Sequence, residues 1–363
     1  MHNVQKIRDI LKIANAYKLA LGSKAITANL AGLEPTLWEE DGKYNIADIV
    51  SELKNNSFDV EMTTNGSNLL LYANKLINAG LSKCRVSIHS FDRSTYTNIT
   101  GKDNLNSVLD GIKYCNESNL KIIINRTLIK GFTEDIPTGL SFIQKENLTL
   151  KLYDLWWVKR IEENYNKYYI HWSEIVKKYV LPLTISIEDK TTEFHRNRTV
   201  YNLNKGGFVD VKHFNNELHE KFEICKNCAV KSKCKETFGS YIHIFANGHL
   251  TFCNLREDIH LDLKHLLEKN ISDIDLASFL SLNFDEHIGH SWKQRLQEAD
   301  LRFYINETCN YKCSFPHTAK GYNSLWCLSS VRSNETWDIN NYLNHNDTLE
   351  SGKNLDAISF CHK

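Results

Sequence analysis

Cys309-Asn-Tyr-Lys-Cys313 follows the apolar run Leu301-Arg-Phe-Tyr-Ile305. Two thiolates separated by three residues, on a loop leaving a strand, suit one face of an iron–sulfur cluster. A third thiolate is expected two spacer residues further on, but Pro316 stands there. The local text recurs at the end of the sequence, where Cys313-Ser-Phe-Pro-His317 is echoed by Ile358-Ser-Phe-Cys-His362. Cys361 is therefore favoured over Cys327 as third ligand. It lies across an excursion of about 45 residues, and loop-closure entropy grows only slowly with such length. A second group is Cys225-x2-Cys228-x5-Cys234-x18-Cys253. Its last member follows a hairpin signal with Asn247-Gly248 at the turn, which returns Cys253 beside the other three. Four thiolates hold either a structural zinc or a four-iron cluster, and spacing alone does not choose.

Parallel strands linked by helices are what such loops need beneath them. Val4 to Leu21 has helical apolar spacing, and Gly22 can cap it. Further helices are expected over Ile46–Leu53, Asn68–Asn78, Leu105–Tyr114 and Glu134–Gln144. Between them run strand-like segments Ala25–Leu30, Phe58–Met62, Cys84–Ile88, Lys121–Asn125 and Leu148–Tyr153. This alternation implies a parallel sheet with crossover helices. With Leu301–Ile305 the strands number six, too few for a closed eight-stranded barrel, so an α/β fold with an open, partial (β/α)6 barrel is expected. Loops at the carboxyl ends of such strands carry the chemistry. Here they are Gly32–Thr36, Thr63–Ser67, His89–Asp92 and Cys309–Cys313. Residues 1–220 read as the main part of the barrel and 221–260 as a small cysteine-rich unit. Residues 261–315 read as linker helices with the returning strand, and 316–363 as a polar insert. Lys205-Gly-Gly-Phe208 reads as a hairpin turn, and Tyr165 to Trp172 as helix or loop.

Composition narrows the classes. The 363 residues carry 44 basic and 44 acidic side chains, so no basic excess points to nucleic acid. No apolar run reaches the ~20 residues of a membrane span, and the N-terminus lacks a signal-peptide region. A cytoplasmic address is expected. In a reducing compartment, spaced groups among the 10 cysteines are metal ligands rather than disulfides. Cys84 and Cys115, alone in apolar patterns, read as core.

Taken together, these segments resemble radical S-adenosylmethionine (SAM) enzymes, closest to the GTP 3′,8-cyclase group, over roughly residues 4–256 and 300–315. Gly32-Leu33-Glu34-Pro35-Thr-Leu-Trp38 is similar to the Gly-Gly-Glu-Pro motif whose backbone receives the SAM amino group. Thr63-Thr64-Asn-Gly-Ser67 is similar to the loop after the third strand. Arg85-Val-Ser87-Ile-His-Ser-Phe-Asp92 is similar to the fourth strand, and Asn125-Arg-Thr-Leu-Ile-Lys-Gly131 to the next strand and loop. The resemblance implies SAM contacts at Gly32, Leu33, Glu34, Pro35, Thr64, Ser87 and Asn125. It implies two 4Fe-4S clusters, one on Cys309, Cys313 and Cys361, the other on Cys225, Cys228, Cys234 and Cys253 in an auxiliary SPASM/twitch-like domain. An electron from the first cluster would cleave SAM to a 5′-deoxyadenosyl radical that abstracts hydrogen from a nucleotide, peptide or sugar. A small-molecule or peptide substrate and a donor such as flavodoxin or ferredoxin are the implied partners, with no nucleic acid and no membrane.

Four departures accompany the resemblance. The strand order is circularly permuted, with the family's first strand last. Pro316 replaces the third ligand, and Leu33 replaces a glycine where backbone must approach SAM. The step from Ala25 to Gly32 is longer than usual. The auxiliary unit also differs: the cyclase's auxiliary cluster has three ligands and an open iron. Four cysteines imply a closed cluster for structure or electron transfer, which argues against GTP as substrate. The alternative to catalysis is a degenerate, non-catalytic metal-binding or interaction protein on the same scaffold. Arg126 and Lys130 read as solvated charge, with an anionic substrate as the functional alternative.

Overall fold

The computed structural model describes residues 5–306 apart from 24–25, 156, 158–161, 192–196, 214–219, 221, 229–230, 236–237, 240, 254–259 and 298. Cys309, Cys313, Pro316, Cys327 and Cys361, and the polar segment expected over 316–357, lie outside the described residues.

Helix α1 (Ile7–Leu21) buries Ile10, Ile13, Ala14, Tyr17 and Leu21, the helical spacing seen in the sequence. It starts at Ile7 rather than Val4. It ends at Gly22, which is left-handed at φ 70° and donates its N–H to Lys18 O at 3.0 Å. Helix α2 (Ile46–Asn55) opens with a reciprocal capping box between Asn45 and Asp48. Pro137 sits in the first turn of Ile136–Glu146, where a missing N–H costs nothing.

Among the described residues eight consecutive strands run parallel, two more than the six expected, and the central six follow the spatial order β14 (Asp300–Tyr304), β1 (Thr27–Ala31), β4 (Asp59–Thr64), β5 (Lys83–Ser87), β6 (Lys121–Thr127) and β7 (Thr149–Tyr153). The last of the described strands therefore lies beside the first, with Ala28 opposite Leu301 and Leu30 opposite Phe303. Alternation decides the faces. Leu30, Met62, Val86, Ile124, Leu152 and Phe303 enter the core shared with the helices. Asn29, Thr63, Ser87, Asn125, Lys151 and Arg302 occupy the alternate positions, on the opposite face.

The sheet extends beyond both ends of this set, to twelve strands among the described residues. On the β7 side come β10 (Phe208–His213), β9 (Asn197–Leu203) and β8 (Thr184–Thr191). Gly206 at φ 91° and Gly207 at φ 77° make the hairpin turn expected at Lys205–Phe208. On the β14 side come β11 (Tyr241–Phe245), β12 (His249–Thr251) and β13 (His260–Asp262), with Gly248 at φ 89° in the Asn-Gly turn. The region 156–220, the least legible in the sequence, thus holds three sheet strands as well as helices Glu162–Tyr168 and Trp172–Ile175. Helix Asp273–Ile288 packs on α1, where the Tyr17 and Phe284 rings meet edge-on at 6.1 Å. Cys84 and Cys115 are core residues, as read; burial holds both thiols well above their ordinary pKa, that of Cys115 at about 11.

Candidate functional site

The loop after β1 is fastened to the exit of β14. Gly32 has φ 139°, and a Cβ there would lie 3.0 Å from the Asn306 backbone N and O. Ile305 N–H donates to Ala31 O at 3.0 Å, and Leu33 N–H to Asn306 O at 3.1 Å. Asn306 Nδ2 returns a bond to Glu34 O at 3.1 Å. Glycine is required at 32 because another strand's backbone occupies the space, a reason the motif alone does not reveal. Leu33, by contrast, is not among the residues with positive φ, so its side chain adds bulk without backbone strain. Three residues beyond Asn306 the sequence reaches Cys309.

Glu34 is 2% exposed, and its carboxylate joins two loops. Oε1 accepts from Thr36 N at 3.1 Å, Thr36 Oγ1 at 2.6 Å and Thr64 Oγ1 at 2.6 Å. Oε2 accepts from Asn65 N at 2.7 Å. Burial pushes its pKa up, while the bonds from Thr36, Thr64 and Asn65 pull it back. Pro35, also buried, opens the turn Pro35–Leu37. Asn68 Nδ2 donates to Thr36 Oγ1 at 3.2 Å, tying in the helix Leu69–Asn78. Thr64 accepts from Gly66 N at 3.0 Å. Gly66 is held at φ 79°, where a Cβ would strike Val86 and Val108 at 2.8 Å. The two loops read separately in the sequence are thus one hydrogen-bonded unit, whose partners Thr36, Asn65, Asn68 and Asn306 were not singled out. Their signal was the density of threonine and asparagine after each strand.

Ser87 and Asn125 lie opposite one another on β5 and β6 at the same carboxyl edge. Asn125 Oδ1 is buried and accepts no hydrogen bond. A buried acceptor of this kind, beside a loop that leaves backbone groups at the strand ends, fits a polar ligand such as SAM. His89, just beyond β5, is buried. Deeper on the same face Glu61 pairs with Lys83 and Arg85, and their charges outweigh burial to hold its pKa down.

Arg126 corrects an expectation. It is neither solvated nor open to an anion: it is 1% exposed and grips Asp135 through Nη1 at 3.0 Å and Nη2 at 2.5 Å. Asp135 also accepts from Ser90 Oγ at 2.9 Å and from Phe91 N, so one ion pair shapes the loops after β5 and β6. Burial alone would raise the Asp135 pKa; bonding and charge from Arg126 outweigh it and lower it.

In the second cysteine group, successive turns wrap the chain: Cys228 N–H to Cys225 O at 3.2 Å, Lys231 N–H to Cys228 O at 3.0 Å, and Cys234 N–H to Lys231 O at 3.3 Å. Cys228, Cys234 and Cys253 pack on the buried Trp157, and Cys225 and Cys253 against the main core. Among the described residues, no three His, Cys, Asp or Glu side chains are grouped as a metal site. The unit is tied to the barrel by Lys235, whose Nζ donates to Asp154 Oδ2 at 2.6 Å and to Tyr169 Oη at 2.9 Å. No described helix is long and apolar enough to cross a membrane.

Residues 2–139 match the model of the Radical SAM superfamily. A protein of Pyrococcus horikoshii named "Probable GTP 3′,8-cyclase" is 28% identical over 281 residues, 75% of this chain and 80% of that one. A protein of the same name from Pyrococcus abyssi is 28% identical over 282 residues, 75% of this chain and 81% of that one. Among solved structures, Streptococcus suis SuiB bound to S-adenosylmethionine aligns with a TM-score of 0.45 at 16% identity, covering 76% of this chain and 61% of that one. SuiB bound to its precursor peptide SuiA aligns with a TM-score of 0.46 at 14% identity, covering 89% and 64%. Over residues 2–139 the chain is similar to the Radical SAM superfamily, and over three quarters of its length it is similar to proteins named probable GTP 3′,8-cyclases.

Proposed function

We propose that this enzyme cleaves SAM reductively and abstracts hydrogen from a substrate of the nucleotide, peptide or sugar class. The observation that carries the reading is the junction of Gly32–Glu34 with Asn306, which sets the expected SAM loop against the strand leading to Cys309 and Cys313. Cys309, Cys313 and Cys361 would hold the first cluster, a ligand set that rests on the circular permutation read from the sequence. The neighbouring of β14, β1 and α1 supports that permutation: Gln5 N–H donates to Ile305 O at 3.2 Å, so the start of α1 adjoins the exit of β14. When bound, the cluster supplies the electron that releases the 5′-deoxyadenosyl radical from SAM. Backbone groups of Gly32 to Pro35 would orient the methionine end, and Ser87 and Asn125 would complete the SAM contacts. Glu34 keeps that loop in place through Thr64 and Asn65 rather than by spending its carboxylate on the ligand.

Cys225, Cys228, Cys234 and Cys253 would hold a second, closed cluster in an auxiliary domain, for structure or electron transfer, with flavodoxin or ferredoxin as donor. Four thiolates leave no open iron for a substrate, so GTP is not the substrate in this reading. Anaerobic reconstitution, iron and sulfide counting, and detection of 5′-deoxyadenosine after adding dithionite and SAM test it. About one 5′-deoxyadenosine or more per reconstituted protein is the expected result. A protein with its clusters in place and no 5′-deoxyadenosine would leave the non-catalytic reading standing.

A further inference from the structure

Lys235 is the chain neighbour of Cys234 and reaches out of the cysteine unit. Its Nζ donates to Asp154 Oδ2 at 2.6 Å and to Tyr169 Oη at 2.9 Å, and stands 4.4 Å from the Tyr169 ring centroid. Asp154 directly follows β7, at the carboxyl edge of the sheet. Its carboxylate also accepts from Trp172 N at 2.7 Å and from Tyr169 Oη at 3.1 Å. The ion pair is mostly enclosed, with the lysine side chain 17% exposed and the aspartate 6%. The connection continues along the same edge. Lys130 N–H, in the loop after β6, donates to Tyr168 O at 2.8 Å, and Leu128 N–H donates to Tyr153 O at 2.7 Å. Tyr165, Tyr168 and Tyr169 pack on Ile129 and Leu155.

Fixing Cys234 restricts Lys235, because one peptide bond separates their Cα atoms. The four-carbon stem of lysine still lets Cys234 shift toward a metal without drawing the ammonium off Asp154. The segment 165–172 closes on β7 through Asp154, and a segment held by few contacts opens locally before the rest of a fold does. Two states follow. In one, Lys235 bridges Asp154 and Tyr169; in the other, the 165–172 segment has left the end of β7. A metal that fixes Cys234 favours the bridged state, and such coupling acts equally in both directions. We propose that Lys235 and Asp154 are positioning residues that couple metal loading at Cys225, Cys228, Cys234 and Cys253 to the order of residues 165–172 and of the loop after β6. This rests on the reading of those four cysteines as a metal site, and it gives that site an influence on the edge where Asn125 lies.

The test compares amide exchange before and after anaerobic reconstitution with iron and sulfide. It uses the full chain carrying Cys309→Ser and Cys313→Ser, so that only the second cysteine group loads. Loading is expected to slow exchange at 165–172 and 128–131 about tenfold or more, the worth of a hydrogen bond to a charged group. Lys235→Met keeps the stem and removes the charge. Loading should then still slow exchange in the cysteine unit while leaving 165–172 within about twofold. By reciprocity, the same substitution should weaken iron retention against a chelator by about the same factor. Asp154→Asn keeps an acceptor for Trp172 N–H and should behave alike; it serves in place of the methionine variant if that one does not fold. Slowing confined to the cysteine unit in the chain that keeps Lys235 overturns the coupling. Equal slowing at 165–172 with and without Lys235 overturns its role, and so does unchanged iron retention in both variants. A chain that takes up no iron and sulfide, with Lys235 present or replaced, overturns the metal site itself.

Discussion

At the scale of single residues, Glu34 and Leu33 divide the work of one loop. Glu34 accepts four hydrogen bonds from Thr36, Thr64 and Asn65 while fully buried. Glu34→Ala leaves those donors unmet and should cost roughly 2–3 kcal/mol, read from urea unfolding midpoints. SAM affinity should fall with it, because the loop loses its tie to Thr64. Leu33 has the opposite sign. In the proposed SAM site its side chain would stand where backbone should reach the SAM amino group, so Leu33→Gly is expected to tighten SAM binding several-fold, measured by equilibrium binding. The same affinity in variant and wild type would show that this loop does not hold SAM.

At the scale of elements, the buried pair of Arg126 and Asp135 joins the ends of β5 and β6 to the start of the helix Ile136–Glu146. Breaking a buried pair from one side leaves an uncompensated charge, so Arg126→Met should destabilise by about 3–5 kcal/mol. The pair also has a pH signature. The folded-state pKa of Asp135 is lowered, so its stabilisation is complete above the unfolded value and fades as pH falls through the folded one. Below about pH 4, wild type should therefore lose stability more steeply with falling pH than Asp135→Asn, in urea unfolding at a series of pH values. Parallel slopes would mean that the pair is not formed. The contact between α1 and the helix Asp273–Ile288 is apolar instead, and Phe284→Ala should cost about 3–5 kcal/mol by loss of transfer and cavity energy.

At the scale of the whole molecule, the two cysteine groups belong to different parts of the chain. The turns around Cys225, Cys228 and Cys234 and the hairpin leading to Cys253 belong to one local unit. Cys309 and Cys313 follow β14. The two sites should load independently. A Cys309→Ser, Cys313→Ser double variant is expected to keep one cluster by iron and sulfide analysis, and a folded double variant without iron would end the two-site model. Because metal binding is coupled to folding, Cys228→Ser should instead lower the stability of the β11–β13 part of the sheet, seen as faster amide exchange there.

The sequence by itself determined the alternating elements from Ile7 to Tyr153, the loops at the strand ends, the two cysteine groups and the likeness to radical SAM enzymes. These are local features: a period near 3.6 or of 2, a glycine turn and a fixed cysteine spacing are each written within a few residues. Only the tertiary structure decided that β14 lies between β1 and β11, that Gly32 makes room for Asn306, and that Glu34 serves as a tie between loops. The same holds for Arg126, whose partner is nine residues away and whose burial depends on two neighbouring loops. Gln5 is the extreme case, an unremarked polar residue before a helix until strand β14 and Trp38 enclose it. Strand neighbours and buried polar partners are set by contacts between separate segments, some as far apart as Glu34 and Asn306, and no local periodicity encodes which segments those are.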